Sequence, residues 1–554
     1  REVIGEKNIR IYLGGNLSDL SDPHQMKDMD RLVEILAQKI RKQVHIRIIG
    51  DYDVDGVTSS HLFLTALRRV GAKVDVVIPH RIQDGYGLSL HLLQQAKEDG
   101  VDTILTCDNG IAAIDEIAWA KAQKMTVLVT DHHAVPFEEH EGRRTEKKSL
   151  ADAVVNPHQQ DCRYPYKELC GAGVAWNVIR VLYENYDMDK REAEDLLDFV
   201  AMATVCDVMS LTGENRILVK EGLKRIRHTK NIGLQALMQA CNVQPENISA
   251  YHFGYVLGPC VNATGRLDTA RHALRLFETG QETEAEEIAR DLVDLNQERK
   301  ELTLQGVEMA KKLCEEGGYE NDPILVLFLP DVHESIAGLI AGRIREMYNR
   351  PVFVLTRGEE GVKGSGRSTE NYSMYENMCG CAELFTKFGG HPMAAGLSLP
   401  EENVEKFRRK INENCPLTVE EVCPDIHIDM AMPVGYASTE LVHQFALLEP
   451  FGKDNPSPLF ADRNLSISRM WVIGKNRNVL RMSVLSEYGQ PVPVIFFGDV
   501  ETLFAYFTEK FGQEEVENAL HGRKNRILFS MVYTAKVDFY QGNENLQLEM
   551  KYYR

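Results

Sequence analysis

The sequence predicts an α/β protein: a parallel-sheet domain, a long connecting helix, a second α/β domain and a C-terminal β-barrel. Three observations lead there. From Val44 onward, short apolar runs alternate with helical stretches of about 10–15 residues, the rhythm of a parallel sheet covered on both faces. Near residue 282 a helical periodicity begins that lasts about 35 residues. After Pro424 the pattern changes to short alternating segments.

In chain order, residues 44–49 form an apolar run ending at Gly50, and residues 57–70 read as the helix behind it. Residues 73–78 make a second strand, stopped by Pro79. Residues 102–106 and 126–130 make two more, each preceded by a helical stretch, 88–97 and 112–124. In such sheets ligands bind beyond the carboxyl ends of the strands. The stretch 138–148 is almost purely charged and reads as a solvated loop. Residues 171–280 read as largely helical. In the long helix that follows, Ile288, Leu292, Leu295, Leu302, Met309 and Leu313 recur at spacings of 3, 4 and 7 and so share one face. Gly317-Gly318 ends it. At 1.5 Å per residue this helix reaches about 50 Å, long enough to connect two domains.

The second α/β pattern places strands at 324–328 and 352–355, a helix at 335–348 and Gly-rich stretches at 361–368 and 388–396. Segments 426–430, 465–472, 478–484, 492–496, 527–532 and 546–552 then supply about five strands, enough for a small oligonucleotide-binding (OB-like) barrel. The expected division is 1–280, 281–318, 319–423 and 424–554.

Of the 554 residues, 44% are hydrophobic and 26% charged, which excludes wholesale disorder and collagen-like repeats. No run approaches about 20 consecutive apolar residues, so no membrane-spanning helix is expected. Residues 1–10 carry mixed charge and lack the apolar core of a secretory signal. Eleven cysteines without framework spacing suit a reducing, cytoplasmic setting. The net charge of −19 argues against broad electrostatic coating of nucleic acid, and leaves room for a local basic channel.

Three carboxylates, Asp51, Asp53 and Asp55, fall within five residues directly after the first strand. They repel one another unless a cation neutralises them, and hard oxygen ligands suit Mg²⁺ or Mn²⁺. A Ca²⁺ loop of the EF-hand kind would need a later ligand glutamate at the right spacing, which is missing. A solvated turn is disfavoured by the buried-strand signal just before it. Asp108 follows the third strand; alone it would read as a helix cap. Asp131-His132-His133 follows the fourth, and imidazole is the commonest nitrogen ligand. Asp207, at the end of an apolar helix, is a further candidate. The coincidence of ligand types at three strand ends, the first, third and fourth, is the argument for a metal centre.

Taken together, Asp51-Tyr52-Asp53-Val54-Asp55-Gly56, Asp108-Asn109-Gly110, Asp131-His132-His133 and Asp207 resemble the four motifs of the DHH phosphoesterases. Further matches point within that superfamily to the RecJ family of single-strand-specific exonucleases. These are Arg81 with Tyr86-Gly87, Asn156-Pro157, Gly171-Ala172-Gly173, Asn262-Ala263-Thr264-Gly265-Arg266, Arg299-Lys300, Gly364-Ser365-Gly366-Arg367-Ser368, Gly389-Gly390-His391 and Pro450-Phe451-Gly452. The resemblance covers nearly the whole chain. It implies a DHH catalytic domain with an N-terminal extension, a DHH-associated substrate-binding domain after the helix, and an OB-like nucleic-acid-binding domain.

The resemblance also implies two divalent ions, Mn²⁺ or Mg²⁺, held by Asp51, Asp53, Asp55, Asp108, His132 and Asp207, with Asp55 and Asp108 bridging. His133 would meet the scissile phosphate, so that Asp55, Asp108, His132 and His133 form the catalytic set. Arg81, Tyr86, Asn156, Arg266, Ser365, Gly366, Arg367, Ser368 and His391 would bind substrate. Residues 341–369 carry six basic side chains against three acidic ones, a local net +3 in an acidic protein. The expected function is 5′→3′ exonuclease action on single-stranded DNA in repair and recombination, by a monomer off the membrane that works with a single-strand-binding protein or helicase. Two rival readings are a phosphodiesterase for short oligonucleotides or cyclic dinucleotides, and a non-catalytic DNA-binding scaffold.

Overall fold

Strands His45–Ile49 (β1), Lys73–Val77 (β2), Thr103–Cys107 (β3) and Thr126–Thr130 (β4) pair in parallel with a short fifth, Ala153–Val155, in the order β2-β1-β3-β4-fifth. This is a computed structural model, and it describes residues 3–81, 84, 87–140, 143–319, 322–358, 361–413, 415, 417, 426–474, 478–540 and 543–554. Ile46, Ile48 and Ile49 of β1 and every residue of β3 are buried, as a sheet with both faces covered requires. The one charge in β1, Arg47, is held by both carboxylate oxygens of Asp75 (3.0 and 2.7 Å) and by Asp99 (2.8 Å). The strand order reverses between β1 and β3. That reversal opens a crevice at their carboxyl ends, and the motifs of residues 51–55 and 108–110 begin there.

The chain divides into two compact units: Leu20–Met209 with Glu221–Asp425, and Arg1–Asp19 with Ser210–Lys220 and Ile426–Arg554. In the larger unit the helix Glu282–Glu316 has the bounds its periodicity predicts, and leads into a second five-stranded sheet. Of that sheet, Leu325–Phe328 and Val352–Arg357 are parallel; Val362–Arg367, Ala394–Leu399 and Lys387–His391 continue it antiparallel. The first Gly-rich stretch is therefore a strand, and the second is a hairpin in which Lys387–His391 turns through Pro392-Met393 into Ala394–Leu399. A Cβ on Gly364 would meet Leu355 Cδ2 at 2.4 Å, and one on Gly366 would meet Met374 Sδ at 2.3 Å, so glycine here lets a strand lie flat on the core. The charged stretch 138–148 also departs from the loop reading, because Phe137–His140 and Arg143–Glu146 pair antiparallel. Charge marks exposure in that segment, but alternate placement suits a solvated ribbon equally well.

In the smaller unit, strands Phe460–Ile473, Val479–Leu485, Pro491–Phe497, Asn543–Tyr553 and Leu528–Tyr540 pair in that order, and the last closes on the first. This is the expected five-stranded barrel. Of the expected strand 426–430, only Met430 pairs, with Ala431 as its neighbour. Two helices, Val500–Phe511 and Gln513–Leu520, interrupt the strands and bury Leu503, Phe507, Val516 and Ala519 in the barrel core. The N-terminal segment belongs to this unit through Arg216. Its guanidinium donates to the carbonyls of Tyr12 (2.7 Å), Leu448 (2.9 Å) and Leu447 (3.0 Å) and lies 4.0 Å from the centre of the Tyr12 ring. Among the described residues no helix is long and apolar enough to cross a membrane.

Candidate metal centre and basic pocket

Asp51 leaves β1, Asp53 caps the next helix by accepting the Gly56 N–H at 3.0 Å, and Asp55 lies in its first turn, so one strand–helix junction aims three carboxylates at the crevice. From β3 the chain turns through a left-handed Asp108 (φ 61°) and the Asn109 amide, which donates to the carbonyls of Ile49 (3.1 Å) and Cys107 (2.9 Å). That amide fastens the end of β1 to the end of β3. From β4 come His132 and His133. Asp207 stands at the C-terminal end of the helix Leu197–Cys206.

These side chains converge. His132 Nε2 lies 3.1 Å from Asp108 Oδ1, 3.6 Å from Asp207 Oδ2 and 3.7 Å from Asp55 Oδ2; His133 Nδ1 lies 3.9 Å from Asp108 Oδ1. Three overlapping sets have donor atoms within 4.8 Å of one another: Asp51 with Asp53 and Asp108, Asp55 with His132 and Asp207, and Asp108 with His132 and His133. Although His132 Nε2 and Asp108 Oδ1 are close, neither makes a hydrogen bond, and the same holds for Asp51 Oδ1; all three atoms are buried. Burial, and then the neighbouring carboxylates, push Asp108 and Asp51 well above the ordinary carboxylate range; burial and Asp55 also raise Asp53. Burial lowers His132. Repelling carboxylates with unbonded, converging oxygens and one neutral imidazole fit hard divalent cations such as Mn²⁺ or Mg²⁺.

Asp131 has a different task. Its Oδ2 accepts the Ile111 N–H (2.8 Å), and its Oδ1 accepts the N–H groups of His132 (2.7 Å) and His133 (3.0 Å) and lies 2.8 Å from His133 Nδ1. Burial lowers His133, but the Asp131 hydrogen bond and nearby carboxylates outweigh it and carry the ring to about 9. Asp55 is fixed from elsewhere: the N–H groups of Gly171 and Ala172, at the start of the helix Gly171–Asn185, donate to its Oδ2 (2.6 Å) and Oδ1 (2.7 Å). Residue 171 has no room for a side chain, since a Cβ there would stand 2.6 Å from Asp108 Cβ.

Beside the carboxylates is a group of guanidiniums. Arg81 lies 5.1 Å from the centre of the Tyr52 ring, and Arg266 donates to the Ser335 carbonyl at 2.7 Å. Burial, then the charges of Arg81, Arg299 and Arg367, lowers Arg266 to about 10; burial and then Arg81 and Arg345 lower Arg367. Arg81, Ser335, Lys363, Ser365 and Lys387 line a 410 Å³ pocket at this place. Arg367 Nη1 donates to the Gly366 carbonyl at 2.8 Å, and Ser368 is buried with its hydroxyl on the Tyr372 carbonyl (2.6 Å). His391 is exposed at the end of its strand. Asn156 is fully buried; its amide donates to the His133 carbonyl (2.9 Å) and its Oδ1 accepts the His158 N–H (2.8 Å). Tyr86 lies outside the described residues.

Sequence reasoning left Asn109, Lys387 and the amides of Gly171 and Ala172 without a role. Asn109 had a signal, its place in a motif. The amides had none, because a backbone donor 116 residues from its acceptor leaves no mark in composition or spacing.

Three family models match: the DHH family N-terminal domain over residues 45–204, the DHHA1 domain over 321–415 and the RecJ OB domain over 428–552. The chain is 32% identical over 560 residues to the single-stranded-DNA-specific exonuclease RecJ of Haemophilus influenzae, covering 98% of this chain and 93% of that one. It is 33% identical to the protein of the same name from Bacillus subtilis, matching 87% of itself and spanning 60% of that relative. Among solved structures it resembles RecJ of Thermus thermophilus in complex with Mn²⁺, with a TM-score of 0.77 and 25% identity over 98% of this chain and 75% of that one. It also resembles an exonuclease RecJ bound to manganese, with a TM-score of 0.60 and 32% identity over 70% of this chain and 94% of that one.

Proposed function

This chain belongs to the RecJ family of DHH phosphoesterases, and on that premise we propose that it is a metal-dependent 5′→3′ exonuclease that hydrolyses single-stranded DNA to 5′-mononucleotides in repair and recombination. The observation that carries the reading is the carboxylate–imidazole cluster at the β1/β3 crevice with a guanidinium cluster beside it. Asp51, Asp53, Asp55, Asp108, His132 and Asp207 would hold the metals. When bound, two divalent ions supply the Lewis acidity that ionises the attacking water and neutralises the phosphoryl oxygens.

The chain's own groups do the rest. Asp131 holds the backbone N–H groups of both histidines and orients the ring of His133, so His133, its Nδ1 beside Asp131, meets the scissile phosphate through its other nitrogen. Arg81, Arg266, Ser365 and Arg367 receive the terminal 5′ phosphate and fix the direction of travel. The matches at 45–204, 321–415 and 428–552 support the division 1–280, 281–318, 319–423 and 424–554 as the functional one. Cytoplasmic residence, a monomeric state and work alongside a single-strand-binding protein or helicase belong to the same reading.

The test is nucleotide release from 5′-labelled single-stranded DNA with Mn²⁺ or Mg²⁺, against short RNA and cyclic dinucleotides as competitors. Preferred hydrolysis of a cyclic dinucleotide would overturn the substrate assignment; inertness toward all three would overturn the catalytic one.

Two further outcomes are expected. Gly171→Ala pushes on Asp108, a misplacement that costs about tenfold in turnover with a smaller change in strand affinity; equal turnover would show that Asp108 tolerates the shift. On the barrel, Trp471 pairs across strands with Arg481, and Arg469 lies 5.6 Å from the Trp471 ring centre, a cationic and aromatic exterior. Arg469→Glu with Arg481→Glu weakens binding of a long strand. The same change flattens the salt dependence, the logarithmic slope falling by about 0.7 for each phosphate no longer neutralised. Trinucleotide cleavage is unchanged. An unaltered salt slope removes this face from the DNA path. Lys475 and Arg477, two further basic residues of the barrel sequence, lie outside the described residues.

A further inference from the structure

We propose that Cys241 and Cys260 form an oxidisable thiol pair, a modification site for hydroperoxides, whose disulfide loosens the grip of the guanidinium cluster on a DNA strand. Cys241 ends the helix Ile232–Ala240 and is half-buried; Cys260 lies in the helix Gly258–Leu267 and is buried. Their sulfurs are 3.7 Å apart, in hydrogen-bond contact. A disulfide needs about 2.05 Å, so oxidation would have to draw the two sulfurs together by less than 2 Å.

The pair is also polarised. The Cys260 hydrogen bond, and then the charge of Lys300, favour the Cys241 thiolate against the opposing effect of burial. Cys260 is pushed up, by its bond with Cys241 and by burial. The half-buried member is therefore the nucleophile and the buried one the resolving thiol. Cys241 Sγ attacks one peroxide oxygen; the O–O bond breaks, hydroxide leaves and takes up the thiol proton as water, and Cys241 becomes a sulfenic acid. Cys260 Sγ then attacks Cys241 Sγ; the S–S bond forms, the S–O bond breaks and a second water carries off the Cys260 proton. The two thiols lose two electrons in total, and one hydrogen peroxide is reduced to two waters.

The consequence runs through Asn296. Its amide donates to Cys260 Sγ at 3.4 Å, while its Oδ1 accepts Arg299 Nε (3.1 Å) and Nη2 (2.9 Å). The helix of Cys260 also carries Asn262, whose Oδ1 accepts the Val54 N–H at 3.1 Å, and Arg266. Arg266, Arg299 and Lys300 together line a 600 Å³ cleft. Drawing Cys260 Sγ toward Cys241 takes it from Asn296 and disturbs the setting of Arg299.

The experiment treats the full chain with hydrogen peroxide, alkylates remaining thiols and maps the peptides by mass spectrometry. The expected result is a Cys241–Cys260 cross-link, lighter by two hydrogens and reversed by dithiothreitol. Binding of a thirty-nucleotide strand, measured by anisotropy without added metal, weakens by about fivefold, the low end of coupling between linked sites. The cross-link and the weakening are both absent in Cys241→Ser, and in Cys260→Ala as a second variant. Alkylation of both thiols after treatment that oxidises the exposed Cys379 overturns the site. A cross-link with unchanged strand affinity overturns its coupling to the cleft. Because mapping requires no turnover, either failure is separate from failure of the exonuclease reading.

Discussion

Asp108→Asn abolishes cleavage, by about a thousandfold or more, and leaves the protein folded. Asparagine matches aspartate in shape and is among the few residues at ease with the left-handed backbone of position 108, so the strand-to-loop turn survives. What goes is one anionic oxygen at the point where two of the candidate metal sets meet. Removal of a group that acts as part of a catalytic unit costs nearly the activity of the whole unit. A second readout isolates the cause. In chelator the variant melts no lower than the parent, because one mutually repelling carboxylate has been neutralised. Added Mn²⁺ then raises the parent's melting temperature clearly more than the variant's, since a ligand at a hundred times its Kd stabilises by about 2.7 kcal/mol. Turnover within tenfold of the parent would refute the two-metal centre; loss of the far-ultraviolet circular dichroism would refute the claim that the fold stands without the ligand.

Arg367→Ala slows attack on 5′-phosphorylated strands by about a hundredfold, and on 5′-hydroxyl strands by less than tenfold. Burial and the neighbouring charge of Arg81 disfavour the charge on both Arg266 and Arg367, and a terminal phosphate carries more negative charge than an internal diester to relieve that crowding. A charge-assisted hydrogen bond is worth about 1.5–3 kcal/mol, and a bidentate contact uses two. Gly338 keeps the space open, since a Cβ there would come within 2.9 Å of Arg367 Nη2. Single-turnover rates on the two substrates measure the ratio. An equal slowing of both would reassign Arg367 to general contact along the strand.

The first parallel sheet was legible because its strands are apolar and its motifs sit at strand ends: β4 and the helix Glu282–Glu316 have the bounds their pattern predicts. Other elements hid for definable reasons. Val362–Arg367 contains two glycines, which local propensity assigns to turns, yet the neighbours Leu355 and Met374 need that emptiness. The ribbon of Phe137–His140 and Arg143–Glu146 is masked by charge. The helices Val500–Phe511 and Gln513–Leu520 lie between strands whose period-2 alternation dominates the C-terminal region. Within the site, Asp51, Asp53, Asp55, Asp108, His132 and Asp207 could be gathered from spacing and resemblance, whereas the guanidinium cluster joins Arg81, Arg266 and Arg367 across nearly 300 residues and depends on tertiary structure.

The support of Asp55 by the amides of Gly171 and Ala172 has a consequence for how this protein can be dissected. Peptide N–H groups survive every side-chain exchange except proline, so a scan of position 172 with the other residues registers only the packing of the new side chain. At 171 it registers only the collision with Asp108. The donors that hold a central carboxylate are thus invisible to alanine scanning. They become visible to chemical synthesis: an ester in place of either amide deletes one donor and keeps every side chain.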